Sequence, residues 1–231
     1  MRAEVKRPRR AAHVEEYPRL DTSGVRLASY NFVVVFEELP IGAVLHELAR
    51  RLLPEHPSPL ITEIPDQLLA VIYPERQLQC QFANRRVDVR DGRGVEPGIE
   101  PYGTVAINAV DSAKRASGKG IVAYGYNFDV HLPLPGDDPA SFLKARFLSD
   151  PQKLGRAFDG DVRSVGVKAS IQQADRQANF DIEPLADGGR GLIKARVNYH
   201  YEGGEPPLDA QALVTQVRER YEEFLAALGR L

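Results

Sequence analysis

The sequence holds one cysteine and one methionine in 231 residues, and it has no tryptophan. Cys80 alone closes no intramolecular disulfide, which excludes a disulfide-stapled scaffold and leads to the expectation of a reduced, cytoplasmic setting. Long hydrophobic runs are missing as well. No stretch approaches the roughly 18 consecutive apolar residues that cross a bilayer, so no membrane is expected among the partners. The segment Ala11-Ala12-His13-Val14-Glu15-Glu16 is too short and too polar for a secretory signal. Charge of one sign is scarce: 30 Lys and Arg stand against 32 Asp and Glu, a net of −2. That balance removes the case for a globally basic nucleic-acid protein.

Catalytic signatures are also missing. There is no Gly-x-Ser-x-Gly elbow, no His-Glu-x-x-His and no paired cysteine motif. No two of His13, His46, His56, His131 and His200 lie within eight residues of each other. A metal needs converging ligands, and only His131 and His200, both late in long strands, have a prospect of meeting. Gly118-Lys119-Gly120 has Ala113 where a phosphate loop requires Gly and no Ser or Thr after the Lys, so it reads as a helix end. No catalytic residue, no metal and no cofactor are therefore expected. The nearest approach to chemistry is Pro65-Asp66 followed across a strand by Glu75-Arg76-Gln77, a loose likeness to a metal-dependent nuclease. Gln77 stands where such a site needs Lys, and a hairpin with a polar turn explains the same residues.

What is present is ordinary for a globular chain: 43% apolar and 27% charged residues, at a length that buries a substantial core. The charge is unevenly placed. Arg2, Lys6, Arg7, Arg9 and Arg10 face Glu4 alone among the first ten residues, a local +4 that leaves about −6 for the remainder. Residues 1–22 are polar and without periodicity, and read as a flexible basic arm. Beyond them the run Tyr30 to Phe36 predicts a long strand, and Ile41, Val44, Leu45, Leu48 and Leu52 a helix. Pro54, Pro57 and Pro59 open a stiff connection. Strands are predicted at Leu68–Tyr73, continuously apolar as if covered on both faces, at Leu78–Phe82 and at Val87–Val89, then a helix near 102–117. The second half repeats this order: a strand over 121–134, a helix capped by Asp138-Pro139, three strands at 165–171, 178–182 and 193–201, and a helix through Leu213–Leu228.

Two triplets fall at matching places in that order. Tyr30-Asn31-Phe32 returns as Tyr126-Asn127-Phe128, 96 positions on, and Glu75-Arg76-Gln77 as Asp175-Arg176-Gln177, 100 positions on. The expectation is an α+β fold: a curved antiparallel sheet from two β-α-β-β-β-α units, residues 23–118 and 119–231, in one continuous domain with helices packed on one face. The layout is similar to the duplicated saddle of the TATA-box-binding protein and to helix-grip folds, in which a curved sheet wraps a helix. The closing helix is expected across the concave side or along the joint. The Val- and Phe-rich opening strand, the Tyr-Asn strand midway, Phe180-Asp181-Ile182-Glu183-Pro184-Leu185 and Tyr221-Glu222-Glu223-Phe224 also resemble a sporadically distributed, uncharacterised prokaryotic family. That resemblance implies a defence-associated setting and no particular chemistry.

The expected function is a non-catalytic binding or assembly subunit acting through a broad sheet surface and the basic arm, with a protein partner or self-association. The alternatives are a nucleic-acid-associated module and a helix-grip container for a small apolar ligand held against Leu213–Leu228. The candidate contacts to a partner or a nucleic acid are Arg2, Lys6, Arg7, Arg9 and Arg10 of the arm, and Arg85, Arg86 and Arg90 of one hairpin. Lys168, Lys194 and Arg196 add charge from the second half. Aromatic residues interleaved with basic ones, as single-stranded nucleic acid requires, are not apparent.

Overall fold

The β-branched and aromatic run from Tyr30 to Phe36 forms the inner part of a long strand, β1 (Arg26–Phe36), with Tyr30, Phe32, Val34 and Phe36 buried. The computed structural model describes residues 20–134, 138–157, 159–185 and 191–231. After Pro40 comes α1 (Ile41–Arg50), which buries Ile41, Val44 and Leu48, and then the short α2 (Leu52–Glu55). Four strands follow: β2 (Leu60–Ile64), β3 (Leu68–Tyr73), β4 (Leu78–Ala83) and β5 (Arg86–Asp91). The β4–β5 hairpin turns at Asn84 and Arg85, with φ of 49° and 64°, the double positive φ of a type I′ turn. Helix α3 (Thr104–Ser117) stops at Gly118, whose φ of 58° is a left-handed cap and whose N–H donates to the Lys114 carbonyl.

The second half runs β6 (Ile121–Pro133), α4 (Pro139–Phe147), α5 (Pro151–Ala157), β7 (Val167–Gln172), β8 (Gln177–Pro184), β9 (Leu192–Glu202) and α6 (Ala210–Leu228). Asp138 caps α4, its Oδ1 accepting the N–H groups of Ala140 and Ser141 at 3.0 and 3.1 Å. Among the described residues the nine strands make one antiparallel sheet in the order β2-β3-β4-β5-β1-β6-β9-β8-β7. From the central β1–β6 pair outward, each side takes its own last, middle and earlier strand in turn. At the joint the matched triplets pair with each other: Tyr30 opposite Phe128, Asn31 opposite Asn127, Phe32 opposite Tyr126.

The fold is thus α+β, a curved, unclosed antiparallel sheet with helices packed on one face. It departs from the sequence reading in one place and narrows it in another. The stiff connection after Pro59 contains β2, so the first half has one strand more than the second. Its five residues are too few for a clear alternation, and three prolines just upstream mask them. Of the two places expected for the closing helix, the concave side is not the one taken: the helix lies on the helical face from β6, a strand of the joint, to β8, with Phe224 6.5 Å from Phe128 and 6.1 Å from Phe180 between ring centroids. The arm residues Arg2, Lys6, Arg7, Arg9 and Arg10 lie outside the described residues.

One apolar cluster runs from Leu20 to Leu228 and joins both halves. Cys80, on β4, is wholly inside it, and burial pushes its thiol well above the ordinary range. Native protein is therefore expected to resist an aromatic disulfide reagent at pH 8 and to react at the rate of global opening, accelerating with denaturant. Rapid labelling without denaturant contradicts this packing.

The second pair of triplets also occupies equivalent places, the β3–β4 and β7–β8 turns. Arg176 lies over the rings of Tyr199 and Tyr201 at 5.2 and 5.9 Å and pairs with Glu223 of α6. Arg76 lies 5.9 Å from the ring of Tyr73 and has Nη1 3.4 Å from Nδ1 of His56. His56 is buried, and loss of hydration holds its pKa below the ordinary 6.5. The unfolded chain consequently takes up the proton first as pH falls below 6.5. The neutral His56 contributes full stability above that value and loses it progressively below. Denaturant midpoints measured from pH 7.5 to 5 are expected to fall less for His56→Gln than for the natural protein; parallel curves contradict the assignment.

Candidate functional site

Alternation decides which side chains face away from the helices. In β1, β6, β8 and β9 the apolar residues that face the helical layer flank a single polar position: Asn31 between Tyr30 and Phe32, Asn127 between Tyr126 and Phe128, Asn179 between Ala178 and Phe180, Asn198 between Val197 and Tyr199. The strand register places these four amides on one transverse row, Asn31–Asn127–Asn198–Asn179, which Ser170 continues on β7 and Arg90 and Gln79 on β5 and β4. Asn198 donates Nδ2 to Oδ1 of Asn127 at 2.6 Å, and Asn179 donates to Asn198 at 3.3 Å. Asn31 turns the other way and donates to both carboxylate oxygens of Asp88 at 2.8 and 2.9 Å. Asn is a poor strand former, so propensity does not account for four of them in strand interiors.

A second row beside the first alternates in charge: Lys168, Asp181, Arg196, Asp129, then Ser29 with Arg90 reaching over it. Arg196 lies 3.6 Å from Asp129 and 3.8 Å from Asp181, Lys168 lies 3.7 Å from Asp181, and Arg90 donates to Ser29 Oγ at 2.9 Å. Together the two rows floor a hollow of about 690 Å³ lined by residues of seven strands, β4 to β7 in sheet order. The signs are not equally placed. Lys168 and Arg90 are 82% and 58% exposed, whereas Asp181 and Asp129 are only 25% and 27% exposed. Arg86 is exposed too. The carboxylates sit low and are neutralised by neighbours, and burial raises the Asp88 pKa. An approaching molecule meets cations first. On the floor, Oδ1 of Asp129 and Nε of Arg196 are buried and have no hydrogen-bond partner among the described residues. The two atoms face each other at 3.6 Å as the ion pair of the floor.

Of the hairpin cations expected from sequence, Arg86 and Arg90 line this hollow, and Arg85 sits beside it in the turn. Arg93, close in sequence, is elsewhere: it crosses to the helical side and grips the buried Asp91. Lys168 and Arg196 join the hollow from the other half. Asp66 and Glu75 flank opposite ends of β3, whose six residues span roughly 17–20 Å, and form no common site. His131 and His200 do not meet either. In the register His131 opposes Lys194 and His200 opposes Gly125, six rungs away. Among the described residues no group of three His, Cys, Asp or Glu could hold a metal ion, and no helix is long and apolar enough to cross a membrane. The four asparagines escape a search for charge. Their signal in the sequence is a polar amide repeatedly enclosed by aromatic or apolar neighbours in strand interiors.

No family model matches the chain, and no curated protein is similar to it. Among solved structures it is similar to Methanococcus jannaschii TBP, at 7% identity and a TM-score of 0.38, over 90% of this chain and 99% of that one. It is also similar to a candidate adenylate cyclase from Bacillus halodurans, at 9% identity and a TM-score of 0.15, over 89% and 75% of the two chains. At such scores neither likeness bears on the site or on what it does.

Proposed function

We propose that the chain is a non-catalytic binding module whose partner is an anionic, hydrogen-bonding polymer of the nucleic-acid class, lying in the hollow of the sheet. The observation that carries this reading is the difference in height between the signs: exposed Arg86, Arg90 and Lys168 above carboxylates that are paired and mostly covered. Cations so placed suit phosphates, and the amide row beneath offers donors and acceptors of the kind that meet base edges. Six inter-strand steps of about 4.8 Å give a face roughly 29 Å across, enough for about eight base steps. Among the described residues no aromatic ring points into it for base stacking, Phe128 and Phe180 turning to the helical side against Phe224, which favours a duplex over a single strand.

A duplication of one unit, residues 23–118 and 119–231, accounts for the mirrored strand order and for the self-paired Tyr-Asn-Phe triplets. It also explains how two polar half-faces come to form one surface. The container reading has less support. Leu213, Val217, Phe224 and Leu228 of α6 are fully buried against the sheet, so apolar side chains already occupy the space a ligand would need. The arm adds a local +4 to the chain and acts as an auxiliary contact. Fluorescence anisotropy with a labelled DNA or RNA duplex at low salt tests the reading. Binding is expected, and deletion of residues 1–19 is expected to weaken it without abolishing it. No binding to either duplex, or binding that vanishes with the arm, contradicts it.

A further inference from the structure

The two outer strands of the sheet are built differently. β7 is a guarded edge: Lys168 is its second residue, and Ser170 and Gln172 keep it polar. β2 has no such guard. Its sequence Leu-Ile-Thr-Glu-Ile contains neither Lys nor Pro, its pairing with β3 runs without a bulge, and all five residues are exposed. Leu60 is 61% exposed, and Ile61 and Ile64 are each 44% exposed. Among the described residues no strand pairs with its outer side. Natural sheets rarely leave a flat apolar edge open, because its free N–H and C=O groups recruit another strand. β3 carries the same message. Its continuous apolar run suits a strand covered on both faces, yet besides Leu69, Val71 and Tyr73 on the helical side only Ala70 is buried. Leu68 and Ile72, opposite Ile64 and Leu60, are half-exposed on the other face.

We infer that β2 is a self-association edge, and that its occupant is β2 of a second copy of this chain. The choice of occupant rests on the pattern of the strand about Thr62. An antiparallel pairing centred on Thr62 places Leu60 of each copy opposite Ile64 of the other, on the face that already carries Leu68 and Ile72. Ile61 then opposes Glu63, so the two acidic groups do not face each other directly. Apolar pairs directly across an antiparallel ladder stabilise it, and a twofold contact of this kind closes at a dimer. The guarded β7 edge disfavours a β2–β7 contact, which would propagate into fibres. Five rungs make a small interface, so the dimer is a weak one, reversible with concentration.

Sedimentation velocity on the full chain over a concentration series tests the pairing. The natural protein is expected to shift from monomer to dimer as concentration rises. Leu60→Lys with Ile64→Lys brings like charges together across the twofold axis and is expected to remain monomeric. Leu60→Lys with Ile64→Glu brings opposite charges together in the same register and is expected to dimerise again. Both positions of substitution are exposed, so unchanged circular dichroism is expected, and Leu60→Lys alone provides a milder variant that weakens the dimer. A monomeric natural protein, a Lys/Lys variant that still dimerises, or a Lys/Glu variant as monomeric as Lys/Lys overturns the inference. So does a dimer lost on deleting residues 1–19 and indifferent to the β2 substitutions, which assigns the edge to the arm.

Discussion

Asp91→Ala is expected to destabilise the fold by about 3 kcal/mol, the largest single effect outside the apolar core. Asp91 is fully buried at the end of β5, and its carboxylate is the hub of a small network. Tyr30 donates its hydroxyl at 3.1 Å, Arg93 donates Nε to both oxygens at 3.1 and 3.0 Å, and the Arg93 backbone N–H adds a bond at 2.9 Å. Removing the carboxylate leaves a partly buried guanidinium and a buried phenol without an acceptor, which costs more than the pair itself contributes. For a chain of this size the melting temperature is expected to fall by roughly 6–12 °C. Arg93→Ala is expected to be nearly as harmful, and the double variant less harmful than the two single losses combined. Additive losses in a denaturant-unfolding cycle contradict a coupled network.

The sheet, its central strands and most of its helices were legible in the sequence because each rests on local pattern. The long strand around Tyr30-Asn31-Phe32 and the capped helix after Asp138 need only alternation and a carboxylate before Pro139. The hairpin that carries Arg85, Arg86 and Arg90 was legible for the same reason. What escaped depends on register. Arg90 and Arg93 are only three residues apart and carry the same charge. Three steps along an extended chain, however, carry a side chain to the opposite face, so one enters the hollow and the other turns to the helical side and binds Asp91. His131 and His200 looked like neighbours because both lie late in long strands, and antiparallel pairing sends those ends apart. The amide row is assembled from four strands spread between positions 31 and 198, and no local window contains it.

The other large effect concerns the hollow. Replacing Arg86, Arg90 and Lys168 together by Ala removes the three exposed cations of its rim and leaves the core-facing side of every strand intact. Each phosphate contact is worth roughly 1 kcal/mol at moderate salt through counterion release, so duplex affinity is expected to fall roughly a hundredfold. The loss of stability is expected to be small, because ion pairs this exposed contribute about 0–1 kcal/mol each. Asn127→Leu is a complementary variant. It breaks the amide row at its centre without touching charge, and is expected to reduce discrimination between duplex sequences more than overall affinity.

The most direct test is the salt dependence of duplex binding by the natural chain and by the Arg86, Arg90 and Lys168 triple variant. A contact to one phosphate contributes about 0.9 to the slope of log affinity against log salt. A partner seated in the hollow predicts a slope for the variant shallower by about 2 to 3. An unchanged slope, with all of the salt dependence removed by deleting residues 1–19, would place binding on the arm and contradict a role for the open face.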